Sequence, residues 1–264
     1  MKHVVVTGAY GGMGKSVVKE LIKNGYHVFA LDKKIEEKQD FVTPIEVDIT
    51  CDKSVNLALE KVKAITDNIY AILHFAGIYT LDSLVEMNEE KFIKAFDVNL
   101  FGAYRVNKAF ISLLKNGSKI LITTSELANL NPLPFTGVYA VTKSALDKYA
   151  SALRMEVQLL GVKVIVLRPG AVDTGMIDVS MRELDKFTEN TKMYSCNAKR
   201  FKNIVEKVEA RKISTQKLAK KTLKILNKKR PKQTYSINRN PLLIMLNVLP
   251  KGLQSKIIKK VLKP

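Results

Sequence analysis

The sequence has no tryptophan, only two cysteines and, in its last quarter, almost no acid. Cys51 and Cys196 form no C-x-x-C pair and join no Cys/His cluster, which removes a disulfide framework and a zinc site as organising features. Both read as ordinary reduced core or surface residues. No run approaches the roughly 20 consecutive apolar residues that a membrane-spanning helix requires. The chain enters a strand-like segment at His3-Val4-Val5-Val6 without the cationic start and long apolar core of a signal peptide, so folding in the cytoplasm is expected. The scarcity of acid is local. Of the net charge of +19, residues 201–264 carry 18 Lys/Arg against Glu206 and Glu209, a surplus of 16, and residues 1–200 are close to neutral. Such a tail can bind nucleic acid, meet an anionic membrane peripherally, or be a solvated surface. Beyond Phe201 its only aromatic is Tyr235, too few rings to stack on bases, so no nucleic-acid partner is expected.

What is present is enough apolar material, 46% over 264 residues, for one large core. Strand-like runs alternate with helical patterns, which predicts βαβ units and a mainly parallel sheet. The predicted strands are Val4–Thr7, His27–Leu31, Thr43–Asp48, Ala71–Phe75, Lys119–Thr123, Lys163–Leu167 and Thr234–Ile237. Between the first two, Met13, Val17, Val18, Leu21 and Ile22 recur at helical spacing and Asn24-Gly25 supplies a stop. Further helices are expected after Asp52 or Ser54 and after Asn88, from Gly102 to Asn116-Gly117, and from about Val138 to Leu160. The fold class is therefore α/β, a Rossmann-type doubly wound parallel sheet of about seven strands with helices on both faces. It is expected to span residues 1–240, with an insertion at about 176–211 before the last helix and strand.

Directly after the first strand comes Thr7-Gly8-Ala9-Tyr10-Gly11-Gly12-Met13-Gly14. In a phosphate-binding turn Gly8 would permit the tight bend, Gly12 the approach of a pyrophosphate to the backbone, and Gly14 close packing of helix on strand. The N–H groups of the helix N-terminus, Met13 among them, would face that anion. A plain structural turn is the alternative, but the strand before and the helix after favour binding. Asp32 ends the second strand 18 positions beyond Gly14, near the offset at which an acid accepts from both adenosine ribose hydroxyls and repels a 2′-phosphate. It predicts NAD, with NADP the alternative if Lys33 or Lys34 turns inward. Otherwise Asp32 is a solvated strand end.

Tyr139 and Lys143 are four apart on a predicted helix and share a face. A tyrosine near pKa 10 is a weak base, and a neighbouring ammonium is expected to lower that value and make the pair a proton relay to an alcohol oxygen. Taken alone, such a pair is common on helix surfaces. In context the chain resembles the short-chain dehydrogenase/reductase family from residue 1 to about 240. The resemblance rests on Thr7-Gly8-x-x-x-Gly12-x-Gly14, Asp48, Ala76-Gly77, Asn99, Ser125, Tyr139, Lys143 and Pro169-Gly170-x-x-x-Thr174 in order.

The resemblance implies Tyr139 as general acid/base, Lys143 as the group that tunes it and holds the nicotinamide ribose, Ser125 as donor to the substrate oxygen, and Asn99 as anchor of a proton-relay water. It implies Asp48 at the adenine and Ala76, Gly77, Pro169, Gly170 and Thr174 around the cofactor, with no metal needed. It also implies a homodimer or homotetramer joined through the helices at about 103–116 and 138–160. Three departures stand out. His74 and Phe75 replace the two asparagines before Ala76-Gly77, the Ser125 to Tyr139 spacing of 14 suggests one extra residue in the loop Leu127–Phe135, and Thr142 replaces a serine before the lysine.

The substrate expected is apolar. Met176, Ile177, Val179, Met181, Phe187, Met193 and Tyr194 either line its pocket or pack a lid to the body. Residues 241–264 read as a basic amphipathic extension, with Leu253, Ile257, Ile258 and Val261 on one face among lysines. It is similar to the extensions of family members that act on retinoids and steroids, and it could lie on a membrane, cover the pocket or meet a second subunit. An NADPH-dependent carbonyl or 3-oxoacyl reductase, or a catalytically weak NAD(H)-binding regulator, are the competing functions.

Overall fold

Three consecutive valines in the first strand require cover on both of its faces, because neighbouring side chains point to opposite sides. In the computed structural model, which describes residues 1–37, 39–208 and 212–263 (at 176–178 and 207–208 the backbone alone), this strand is β1 (Lys2–Thr7). It is followed by α1 (Gly12–Lys23), β2 (Tyr26–Asp32), β3 (Val42–Glu46), α2 (Asp52–Lys63), β4 (Ile69–His74), α3 (Glu89–Phe96), α4 (Gly102–Phe110) and β5 (Leu114–Thr123). Then come α5 (Gly137–Val157), β6 (Lys163–Pro169), β7 (Val172–Asp173), α6 (Gly175–Asn190), α7 (Ser195–Val208), β8 (Ile213–Ser214), α8 (Thr215–Leu226), β9 (Thr234–Ile237), α9 (Pro241–Val248) and α10 (Lys251–Leu262).

The main sheet has seven strands in the order β3-β2-β1-β4-β5-β6-β9, every pair parallel. It is the doubly wound α/β sheet that the sequence predicts. Val5, Phe29, Ile72, Ile120 and Val166 point to the side covered by α2, α4 and α5, whereas Val4, Val6, Ala30, Leu73 and Leu121 point to α1 and α8. Each of these side chains but Ala30, fully buried, contributes roughly 1.5–3 kcal/mol. The strand order reverses between β1 and β4, which opens a crevice at the carboxyl ends of the strands. Above it a third apolar cluster, including Leu184 of α6, Phe201 of α7 and Leu262 of α10, ties the insertion to the C-terminal arm.

Two expected helix boundaries are corrected. α4 stops at Phe110 and gives way to a 3₁₀ turn, Ile111–Leu113, so Asn116-Gly117 is not its end. Leu114 already pairs with Ile69, and Gly117, at φ 91°, sits inside β5 and donates its N–H to the Gly161 carbonyl at 3.0 Å. The sheet takes these residues before the helix can reach them. Neither Asp52 nor Ser54 caps α2. The cap position is Cys51, without a side-chain hydrogen bond, Asp52 is the first helical residue, and the Ser54 hydroxyl accepts from the Asp48 N–H at 3.0 Å. Asn88 does cap α3, accepting from the Lys91 N–H at 3.3 Å. Among the described residues no helix is long and apolar enough to cross a membrane.

Candidate active site

The glycine turn lies at the carboxyl end of β1, and its glycines are required by space. Gly8 takes φ 66°, and a Cβ there would come within 2.5 Å of the Ala76 backbone nitrogen. A Cβ on Gly14 would lie 2.0 Å from the Gly8 carbonyl oxygen, and one on Gly12 2.6 Å from Thr174 Cβ. The first contact brings the exit of β4 against the turn, and the last brings the segment from Pro169 to Thr174 down onto it. What remains beside the turn is a backbone-lined cradle at the start of α1, open to an anion. It fits a dinucleotide pyrophosphate.

Asp32 stands at the end of β2 with its carboxylate turned to this cradle: Oδ2 accepts from the Tyr10 N–H at 2.9 Å and Oδ1 from its neighbour Lys33 at 2.8 Å. It is thus more than a solvated strand end. Lys33 reaches away to Asp48, Nζ to Oδ2 2.9 Å. Burial would raise the Asp48 carboxyl, but hydrogen bonds from Thr50 and Lys33 outweigh it and hold the group at about 2.

Asn99 lies in a π-turn, Asp97–Phe101, that interrupts the run from α3 to α4, and it is 1% exposed. Such a turn re-aims one side chain out of helical phase. Its amide is engaged on both sides: Oδ1 accepts from the Ile78 N–H at 2.8 Å, and Nδ2 donates to the Ile78 carbonyl at 3.0 Å and to Thr142 Oγ1 at 3.1 Å. Thr142 in turn donates to the Tyr139 carbonyl at 2.8 Å. A Cβ placed on Gly77 would approach Asn99 Oδ1 to 3.1 Å and Lys143 Nζ to 3.2 Å, so these three meet at one point.

Tyr139 and Lys143 do share the inner face of α5, with the ammonium 5.8 Å from the tyrosine ring centroid and donating to the Thr123 carbonyl at 3.4 Å. Ser125, two residues beyond the end of β5, stands near enough to the Tyr139 hydroxyl to lower its pKa, and its Oγ accepts from the Leu127 N–H at 3.2 Å. The bidentate Arg168–Asp147 pair, 2.8 and 2.7 Å, fastens α5 to β6 behind them. The expected lowering of the tyrosine is reversed. Burial pushes the Tyr139 phenol up to about 12, the Ser125 hydroxyl pulling only part of the way back, and burial brings the Lys143 ammonium down to about 8. Desolvation, which disfavours the charged form of each group, sets the direction of both shifts. His74, also buried, bonds Asn107 through Nε2 at 2.9 Å and is held near 4 by desolvation, so it is neutral and joins β4 to α4.

Gly77, Thr123, Ser125, Tyr139 and Lys143 form the floor of a cavity of about 630 Å³. The sequence did not identify most of its walls. Tyr79 packs against Tyr139, rings tilted by 48° at 4.8 Å between centroids, and Leu127, Leu133 and Pro134 of the loop before α5 form one side. Phe135 of that loop holds φ 66° against Phe187, Tyr194 and Phe201. Of the two readings open for the insertion's apolar residues, lining the pocket or packing the lid, the described ones do not line the cavity. Phe187, Met181 and Tyr194 pack the lid cluster, Val179 and Met193 face solvent, and the side chains of Met176 and Ile177 lie outside the described residues. Phe201, Ile204 and Val205 of α7 and the apolar faces of α9 and α10 line the cavity instead. The missed signal was Asn240-Pro241, a helix cap followed by proline, which seats α9: the Asn240 side chain accepts from Leu242 and Leu243, and its N–H donates to Glu126 at 2.7 Å.

Comparison with known proteins agrees with this geometry. The short chain dehydrogenase family model matches residues 2–185. The uncharacterized oxidoreductase YbbO of Escherichia coli is 32% identical over 196 residues, 72% of this chain and 73% of that protein. The 3-ketodihydrosphingosine reductase of Bacteroides thetaiotaomicron is 27% identical over 229 residues, 86% of this chain and 84% of that protein. A short chain dehydrogenase from Burkholderia cenocepacia, solved in complex with NADP, superposes with a TM-score of 0.74 at 21% identity over the full length of both chains, which shows the shared fold. The glycine cradle at the β1/β4 switch point and the Ser125, Tyr139 and Lys143 cluster beside it thus stand in a protein that belongs to the short-chain dehydrogenase family.

Proposed function

We propose that the protein is an NAD(H)-dependent oxidoreductase that interconverts an apolar alcohol and its carbonyl compound. The observation that carries this reading is the meeting of Ser125, Tyr139 and Lys143, next to Asn99 and Gly77, on the floor of a mostly apolar cavity beside the glycine cradle. A nicotinamide dinucleotide would be held by the turn Gly8, Gly12, Met13 and Gly14, by Asp32 at the ribose, by Asp48 near the adenine, by Ala76 and Gly77, and by Pro169, Gly170 and Thr174 from above. Bound there, it would supply or accept the hydride.

The chain's own residues handle the proton. A phenol held near 12 is protonated at neutral pH, which suits Tyr139 to donate to the oxygen of a carbonyl substrate. The Ser125 hydroxyl would donate to the same oxygen as negative charge develops on it, and the Lys143 ammonium, still mostly protonated at pH 7, stabilises the phenolate left behind. Asn99 keeps Gly77-Ile78 and α5 in register through Thr142, so the ammonium stays beside Tyr139. In the direction of alcohol oxidation the same proton returns to Tyr139.

NAD over NADP is supported by the Asp32 carboxylate at the cradle and by Lys33 being drawn off to Asp48. An apolar substrate is supported by the cavity walls, and the Bacteroides relative, a 3-ketodihydrosphingosine reductase, points the same way. Tyr104 of α4 and Val141 and Met155 of α5 are exposed, which supports a homo-oligomer built through these helices. Fluorescence titration with NADH and NADPH tests the cofactor assignment. NADH binding tighter by about tenfold or more, roughly 1.4 kcal/mol, is expected, and tighter NADPH binding would overturn it.

A further inference from the structure

α9 is inside out, and α10 beside it is partly so. α9 has one polar side chain after its leading proline, Asn247, and that one is turned inward, its Oδ1 accepting from the Asn131 N–H at 2.6 Å. Gln254 of α10 is also buried, accepting from Asn131 Nδ2 at 2.9 Å and donating to the Leu249 carbonyl at 2.8 Å. α9 shows apolar side chains to solvent, with Leu242 60%, Met245 64% and Val248 80% exposed, and Leu253, Ile257 and Val261 of α10 are open beside them among its lysines. A surface helix normally does the reverse, and a contiguous apolar patch of this kind marks a contact surface.

Charge identifies the occupant. From Arg239 to Lys263 there are six cations and no acid, and Lys256, Lys259, Lys260 and Lys263 flank the exposed apolar edge of α10. A second copy of this face would bring six cations against six. An anionic bilayer supplies both of the required partners, negative headgroups for the lysines and acyl chains for the apolar side chains. We infer that α9 and α10 form a docking surface for an anionic membrane.

The surface is continuous with the cavity. Leu242, Ile257 and Val261 are open to solvent and also line the cavity, so they form its rim. An apolar chain leaving the bilayer at this rim enters the space above Ser125 and Tyr139 without crossing bulk water. Docking stands independently of the reaction, whereas delivery of substrate through the rim rests on the proposed function. The arm is also wired to the catalytic loop: Asn131 binds Asn247 and Gln254, and Glu126, next to Ser125, accepts from Asn240.

The test is flotation of the full-length protein with phosphatidylcholine vesicles with and without phosphatidylglycerol. Capture on the anionic vesicles, weaker by about tenfold on neutral ones and falling with added salt, is expected. Met245→Glu/Val248→Glu and Lys256→Glu/Lys260→Glu, all at exposed positions, should each weaken it by about tenfold or more while the circular-dichroism melt and NADH titration stay as in the unmodified protein. No capture on anionic vesicles overturns the inference, as does capture that both variants leave intact. A dimer that Met245→Glu/Val248→Glu splits, with no vesicle binding, assigns the surface to a second copy instead. A failure of NADH binding in the unmodified protein with vesicle capture retained would fault the proposed reaction and not the docking surface.

Discussion

Replacing Lys143 by methionine should abolish turnover and yet make the protein more stable. Lys143 is 5% exposed, and burial brings its ammonium from 10.5 to about 8. That difference corresponds to roughly 3 kcal/mol of destabilisation at pH 7, where the native state must keep a desolvated charge. Methionine fills the same space without the charge and forfeits the long hydrogen bond to Thr123, worth about 1 kcal/mol. A net gain of roughly 2 kcal/mol is expected, a rise in Tm of about 4–8 °C for a chain of this size. The pH dependence gives the sharper check. Between about 8 and 10.5 the unfolded state binds the Lys143 proton and the native state does not, so the unmodified protein gains stability as pH rises through this window. The advantage of Lys143→Met should therefore shrink by about 2 kcal/mol between pH 7 and pH 9.5, measured by urea denaturation without cofactor. A variant less stable at pH 7, or an advantage that is constant with pH, would refute the reasoning.

Acid should act through His74: held near 4 against 6.5 when unfolded, it binds fewer protons in the native state across that interval, so roughly 3 kcal/mol is lost as pH falls from 6.5 to 4, and His74→Asn should flatten this part of the stability profile. Gly14→Ala, whose Cβ would lie 2.0 Å from a backbone oxygen, should cost roughly 3 kcal/mol or more in thermal denaturation, whereas Gly25→Ala, with φ 75° and nothing within 4 Å, should cost only about 1 kcal/mol. Asp32→Asn keeps an acceptor for the Tyr10 N–H but removes the charge, and should shift the ratio of NADPH to NADH affinity toward NADPH by about tenfold or more in paired titrations.

The central sheet was legible because its signals are local. Val4-Val5-Val6 announces a strand buried on both faces, and Gly14 is demanded by a contact with Gly8 a few residues away, although Gly8 and Gly12 themselves answer to Ala76 and Thr174 far along the chain. Tyr139 and Lys143 share a face by helical spacing alone. What the sequence concealed depends on contacts between distant segments. Nothing near Tyr139 in the chain says that Tyr79 packs against it, and desolvation of the phenol, which reverses the expected pKa shift, follows from burial that no spacing reveals. The arm misled for a different reason. α9 is apolar on nearly every side, so its sequence has no period from which a buried face can be read, and only Asn131, more than a hundred residues away, fixes Asn247 inward. In the insertion, apolar residues at helical spacing could serve a pocket or a lid core, and the aromatic contacts of Phe135 placed Phe187 and Tyr194 in the lid core.

The central claim is that Tyr139 is the proton donor of a nicotinamide-dependent reaction in this cavity. Its most direct test is NADH oxidation, followed at saturating cofactor with a panel of medium- and long-chain ketones, by the unmodified protein and by Tyr139→Phe. Ketone-dependent oxidation is expected, falling by about a hundredfold or more in the variant while NADH binds both proteins equally. Turnover that survives in Tyr139→Phe would contradict it.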